Sequence, residues 1–195
     1  MGSTAKKMGN GFTYSDYVSW PDDERWEIIS GDAYAMTPAP TTTHQRITLF
    51  IGSELRQFFR GKDHQPFIAP TDVVLDDHNI VQPDVLVVCD PKKITEKHIQ
   101  GAPDLIVEIL SPSTAVKDKR EKKALYERFG VREYLIVYPA EELAERFVLA
   151  DGGRYGAPDV FGWDEVLPLA IFPDLHINLW ELFDKQLPPQ EPVES

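Results

Sequence analysis

The run Leu105-Ile106-Val107-Glu108-Ile109-Leu110 sets one carboxylate among five apolar side chains. An apolar run of this length reads as a strand buried on both faces. A carboxylate ionised in such a place, without partners, costs several kcal/mol, so it is neutralised, paired with a cation or given to a metal. Asp84 repeats the pattern inside Ile80-Val81-Gln82-Pro83-Asp84-Val85-Leu86-Val87-Val88. Asp118, Lys122 and Tyr126 then follow at i, i+4 and i+8, which places them on one stripe of a helix. The connector Ser111-Pro112-Ser113-Thr114 is short, so that helix packs beside its strand and Lys122 on its second turn can reach Glu108. Two carboxylates and an ammonium suit a hard divalent cation bound by oxygens, with the ammonium placing or activating water. Phosphodiester hydrolysis uses those parts: charge neutralisation at the phosphate, an activated water and a cation for the developing charge.

Each of these residues has a plainer reading. Glu108 can form a structural salt bridge with Lys122 or a nearby arginine. Asp84 can be a turn or strand-end acid after Pro83. Lys122 is one of five bases with Lys117, Lys119, Arg120 and Lys123, a cluster that reads as a solvated face or as a contact for DNA phosphates. Its alignment with Asp118 and Tyr126 favours it over its neighbour Lys123. Glu27 alternates with Trp26 and Ile28, so it is an exposed hairpin residue or an extra acid near the metal. His44 caps a helix, packs, or touches substrate. Gln82, two residues before Asp84, faces the same side and would orient water or ligands. Asp72 opens a strand or serves a turn. His64, His78, His98 and His176 lack zinc-ligand spacing. Neither a Gly-rich phosphate loop nor a serine nucleophile motif occurs.

The elements that must position these residues follow from pattern. Residues 14–20 form a short helix stopped by Pro21, and residues 25–36 a hairpin turning at Gly31-Asp32. Thr43 caps a helix over 44–59, with Ile47, Ile51, Leu55 and Phe58 on its buried face. Strands follow at 67–69, 72–75, 81–89 and 105–110, the third at an edge or bulged because it contains Pro83. Thr114 caps a helix over 115–129 that Gly130 ends. A strand at 133–138 closes at Pro139, a hairpin over 146–149 turns at Asp151-Gly152-Gly153, and a short strand lies near Val160. A last helical turn spans 179–183. This order predicts an α/β (α+β) fold, a mixed central sheet flanked by helices with N-terminal and C-terminal β-hairpin additions. Residues 1–12 read as a disordered leader, 13–186 as a single domain and 187–195 as a Pro-rich tail.

Composition narrows the classes. The chain has 195 residues, 42% hydrophobic and 27% charged, as in a soluble globular protein. No apolar run approaches a membrane span and the first residues lack a signal-peptide core. The single Cys89 makes no internal disulfide and ends an apolar strand, so a buried thiol in a cytoplasmic protein is expected. The net charge of −12, from 32 acids against 20 bases, weighs against a broad basic nucleic-acid surface. A local basic strip remains compatible with it.

Several segments together resemble one family. They are Gln82-Pro83-Asp84-Val85, the stretch from Gly101-Ala102-Pro103-Asp104 through Glu108 to Thr114, then Asp118, Lys122, Tyr126 and Gly130-Val131-Arg132-Glu133-Tyr134. With weaker flanks at Glu27, Gly31, His44-Gln45, Gly153-Arg154-Tyr155 and Leu182-Phe183, the chain is similar to the Uma family of putative restriction endonucleases, within the PD-(D/E)XK nuclease superfamily. The resemblance implies a restriction-endonuclease-like core and Mg²⁺-dependent DNA cleavage, with Mn²⁺ as a substitute. Asp84 and Glu108 match the two acids, and the Ile109 carbonyl would add a third ligand. The superfamily's usual lysine falls at Leu110 here, and the family's displaced lysine falls at Lys122. DNA is then the expected substrate, no membrane is involved, and a homodimer is expected because many endonucleases cut both strands. The competing readings are a non-catalytic nucleic-acid-binding or oligomerising protein that keeps the fold, and a glycosidase using the acid pair. Acids on neighbouring strands, about 5 Å apart at the backbone, fit a shared metal better than a sugar cleft.

Overall fold

Two β-sheets, between which the chain crosses repeatedly, carry the fold in the computed structural model, which describes residues 11–21, 24–36, 40–110 and 121–187. In chain order come α1 (Tyr14–Tyr17), β1 (Trp26–Ile29), β2 (Asp32–Ala35), α2 (Thr42–Phe58), β3 (Gln65–Ile68), β4 (Val73–Asp76), β5 (Asn79–Val81) and β6 (Val85–Val88). Then follow β7 (Ile99–Gln100), β8 (Leu105–Ile109), α3 (Lys123–Phe129), β9 (Glu133–Tyr138), β10 (Leu143–Val148), β11 (Asp159–Gly162), β12 (Val166–Pro168), β13 (His176–Asn178) and α4 (Leu179–Leu182). The larger sheet has the order β11-β10-β9-β8-β6-β3, and the smaller one β2-β1-β5-β4-β7. Each is mixed: β8 and β9 are parallel in the first, β4 and β7 in the second. β12 and β13 form a separate hairpin.

The expected single sheet is therefore two. The sequence places one strand over 81–89, but β5 belongs to the smaller sheet and β6 to the larger. Pro83 has no N–H to give a ladder, so the chain leaves one sheet at Gln82-Pro83-Asp84 and enters the other. The N-terminal hairpin is built into the smaller sheet rather than added to a central one. Its turn lies at Ser30-Gly31, where both residues have positive φ (52° and 79°), the twist a two-residue hairpin needs. At the other end, β10 starts at Leu143 and extends the larger sheet. Below the Asp151-Gly152-Gly153 turn only the bridge between Leu149 and Tyr155 forms before β11 pairs.

Alternation along β8 divides the core. Leu105, Val107 and Ile109 join Val85 and Val87 against Ile47, Ile51 and Leu55 of α2. Ile106 joins Leu86, Val88 and Tyr134 on the opposite face, against Leu125 and Tyr126 of α3 and against Ile29, Val73 and Val81 of the smaller sheet. Glu108 belongs by alternation to this second face. The helix α2 is capped by Thr41, whose side chain accepts from the His44 N–H, and not by Thr43. Its last turn buries Phe59, one turn beyond Leu55, while Phe58 is only partly buried.

Gly11 and Phe12, expected in the leader, both donate to the Gly31 carbonyl at 3.0 Å. Thr114, Asp118 and the first turns of the helix expected over 115–129 lie outside the described residues. Its end is as expected: Gly130 takes a left-handed conformation with φ 78°. A Cβ at Gly130 would meet nothing within 4 Å, so only backbone strain opposes a side chain there. Gly130→Ala should therefore lower stability by about 1 kcal/mol, read as a shifted urea midpoint with an unchanged slope.

Candidate active site

β6 runs antiparallel to β8 with Val85 opposite Val107; Asp84 immediately precedes β6, and Glu108 lies one residue beyond Val107. Asp84 lies just past the sheet switch. Its Oδ2 accepts the Ile109 N–H at 2.7 Å, and its Oδ1 lies 3.1 Å from His44 Nε2 at the start of α2. His44 Nδ1 in turn lies 3.4 Å from Thr48 Oγ1. His44 thus neither caps its helix nor merely packs; it braces Asp84.

Glu108 is 3% exposed and Lys122 equally buried. The Lys122 ammonium lies 2.9 Å from Glu108 Oε1 and 2.8 Å from Glu27 Oε1. Tyr126, one turn on from Lys122, donates its hydroxyl to the same Glu108 oxygen at 2.7 Å. Burial, and then the Glu108 charge, push the Tyr126 phenol well above its ordinary pKa, so it stays protonated as a donor. Glu27 Oε1 also accepts the Gln82 main-chain N–H at 3.1 Å. Glu27 is 2% exposed, so its alternation points it inward to Lys122 and not into solvent.

Gln82 departs from expectation. Its side chain turns away from the acids: Oε1 accepts from Arg25 Nε at 3.1 Å and Nη2 at 2.6 Å, and Nε2 donates to the Tyr17 hydroxyl and to Asp72. Two residues share a face only in an unbroken strand, and Pro83 breaks this one. Gln82 therefore serves the site through its backbone. Asp72 accepts from Tyr17 and Gln82, a bracing role that the sequence did not distinguish from a turn. Lys123 points elsewhere, with its ammonium 4.9 Å from the Phe147 ring and 5.5 Å from Tyr155. Leu110, at the superfamily's usual lysine position, is buried in the second core. Cys89 is half-buried, its thiol pushed up to about 12 by burial and by Asp104. Arg25 escaped the sequence reading because nothing in its spacing ties it to Gln82.

Among the described residues there is no group of three or more His, Cys, Asp or Glu side chains that could hold a metal. Asp84, Glu108 and the Ile109 carbonyl would offer only oxygen donors, the type that Mg²⁺ takes.

The fold is that of a known crystal structure. A putative nuclease belonging to DUF820, from Anabaena variabilis, superposes with a TM-score of 0.73 over 89% of this chain and 98% of that one, at 20% identity. The chain belongs to the Uma2 family, described as putative restriction endonuclease, whose model matches residues 14–180. Two uncharacterised proteins of Synechocystis are similar in sequence: slr1290, 30% identical over 63% of this chain, and sll1609, 26% identical over 58%. In each case the matched stretch spans 66% of the relative's length. No helix among the described residues is long and apolar enough to cross a membrane.

Proposed function

We propose that this chain is a Mg²⁺-dependent endonuclease that hydrolyses DNA phosphodiester bonds. The observation that carries the reading is the buried Lys122 ammonium between Glu27 and Glu108, whose strand neighbour Ile109 donates its N–H to Asp84. Asp84, Glu108 and the Ile109 carbonyl would hold Mg²⁺, or Mn²⁺ in its place. When bound, that ion neutralises the scissile phosphate and lowers the pKa of a water. Lys122 orients the attacking water and offsets the charge that develops at phosphorus. Glu27 and Tyr126 position this pair, one holding the ammonium and the other fixing the Glu108 carboxylate, while His44 fixes Asp84. Lys122 thereby supplies from the helix the cation that Leu110 cannot. DNA as substrate, a homodimer and a cytoplasmic setting are parts of this same proposal.

The non-catalytic alternative also has an observation behind it, since an ammonium between two buried carboxylates is a sound structural ion pair. Plasmid and single-stranded DNA incubated with Mg²⁺ or Mn²⁺ separate the two. Under the nuclease reading the native chain cleaves, a chelator stops it, and Lys122→Ala is inactive. A native chain that cleaves neither substrate and gives no heat with Mn²⁺ in calorimetry favours the non-catalytic reading.

A further inference from the structure

Beside the acid pair lies a second feature that the hydrolytic chemistry does not use. A groove of about 680 Å³ runs between α1, β1 and the segment 94–99. Tyr17, Trp20, Trp26 and Phe67 line it, with Arg25 and Lys97 among its polar groups. Its volume is that of a ligand site. Asp84 and Glu108 do not line the groove, but three of its lining residues adjoin their segments. Gln82, two residues from Asp84, lines it, as does Pro70, whose neighbour Ala69 donates its N–H to the Asp84 carbonyl at 3.0 Å. Phe67 lies opposite Leu86 in the strand register, so its ring is on the sheet face to which Ile106 and, by alternation, Glu108 belong.

The groove carries three acids, Glu24, Asp72 and Glu96, beside its two bases, Arg25 and Lys97. Asp72 accepts from Tyr17 and Gln82, and Glu24 from the Trp26 indole N–H, while Glu96 is exposed. Arg25 is exposed, and the side chain that orients it is a neutral amide oxygen. Among the described residues neither Arg25 nor Lys97 has a carboxylate partner. A guanidinium held in place but not neutralised, over aromatic walls, is suited to a phosphate with an attached flat ring.

We propose that this groove binds an unpaired segment of polynucleotide flanking the scissile phosphate, with a base stacked on the aromatic wall and its phosphate on Arg25 and Lys97. The proposal rests on the nuclease reading for the location of the scissile phosphate, though binding in the groove does not need the metal. Aromatic stacking and cationic contacts are the two elements of sequence-tolerant single-strand recognition. A paired duplex buries its base faces and cannot use the wall.

The test is a titration of the full chain, in chelator, with an oligothymidylate, an oligouridylate and a blunt duplex of equal length. Tryptophan fluorescence is the readout, because Trp20 and Trp26 line the groove. The expected result is saturable quenching by the single strands, at least about five-fold tighter than by the duplex. Arg25→Ala and Lys97→Ala should each weaken it about ten-fold, with Arg25→Lys restoring part of the loss. Lys97 is exposed, so its variant guards against a folding defect in the Arg25 variant. Equal affinity for the duplex, no effect of either variant, or no saturation up to about 100 µM overturns the proposal. Binding with these properties but no cleavage with metal removes the nuclease reading alone. Cleavage by a chain whose quenching ignores Arg25 and Lys97 removes the groove alone. Preference for the uridylate over the thymidylate assigns the unpaired strand to RNA, and the reverse to DNA.

Discussion

Lys122→Met is expected to lower the unfolding free energy by about 3–5 kcal/mol. The native ammonium is 2.8 Å from one buried carboxylate and 2.9 Å from another. Methionine keeps much of the volume but leaves Glu27 and Glu108, 2% and 3% exposed, without the cation between them. The loss is large against the whole stability of an ordinary domain, about 5–15 kcal/mol. Urea unfolding by circular dichroism measures it. The double variant Glu27→Gln with Lys122→Met removes one of the two charges together with the cation, and should recover at least half of the loss. That pair keeps the test informative if the single variant fails to fold. A cost below about 1 kcal/mol for Lys122→Met would match a solvated surface pair, and would remove the ground for placing Lys122 at the heart of the site.

How far this site was legible depends on the range of the signal. Glu108 was visible because a charge in an apolar run contradicts its own surroundings, and that contradiction needs no tertiary information. Lys122 and Tyr126 were visible as a pair because helical spacing is local. The contact of Lys122 with Glu108 followed from a short connector. Glu27 was left open between solvent and site, because alternation tells which residues share a face but not which face is covered. The cover comes from the smaller sheet, whose β5 ends where the chain switches sheets at Pro83. The sequence shows the proline; it does not show that β5 and β6 belong to different sheets. The Gln82 misassignment has the same origin, since the rule that residues two apart share a face was applied across a break. Thr41 and Thr43 are both valid caps by type, and only the backbone decides between them. Partners such as Arg25 for Gln82, or His44 for Asp84, depend on sheet-to-helix placement that no short spacing encodes.

Glu108→Gln should separate a metal-binding acid from a structural one, and the control is the matching change at Glu27. Both carboxylates accept from the same ammonium, so either substitution removes one negative charge from the same buried group. Glutamine keeps an acceptor for Lys122, and at position 108 for the Tyr126 hydroxyl also. The stability of each variant should therefore stay within about 2 kcal/mol of native. Only Glu108 sits on the strand beside Asp84, with the Ile109 carbonyl next along the chain. If these three hold the ion, Glu108→Gln loses the heat of Mn²⁺ binding and cleaves at least about a hundred-fold more slowly. Glu27→Gln keeps the Mn²⁺ heat and slows cleavage by about ten-fold, because it loosens the placement of Lys122 without touching the ion. Equal losses of metal binding in the two variants would put Glu27 in the ligand set. Unchanged metal binding in both would reduce the acids to counterions for Lys122, and the lysine would then hold the fold together and take no part in a reaction.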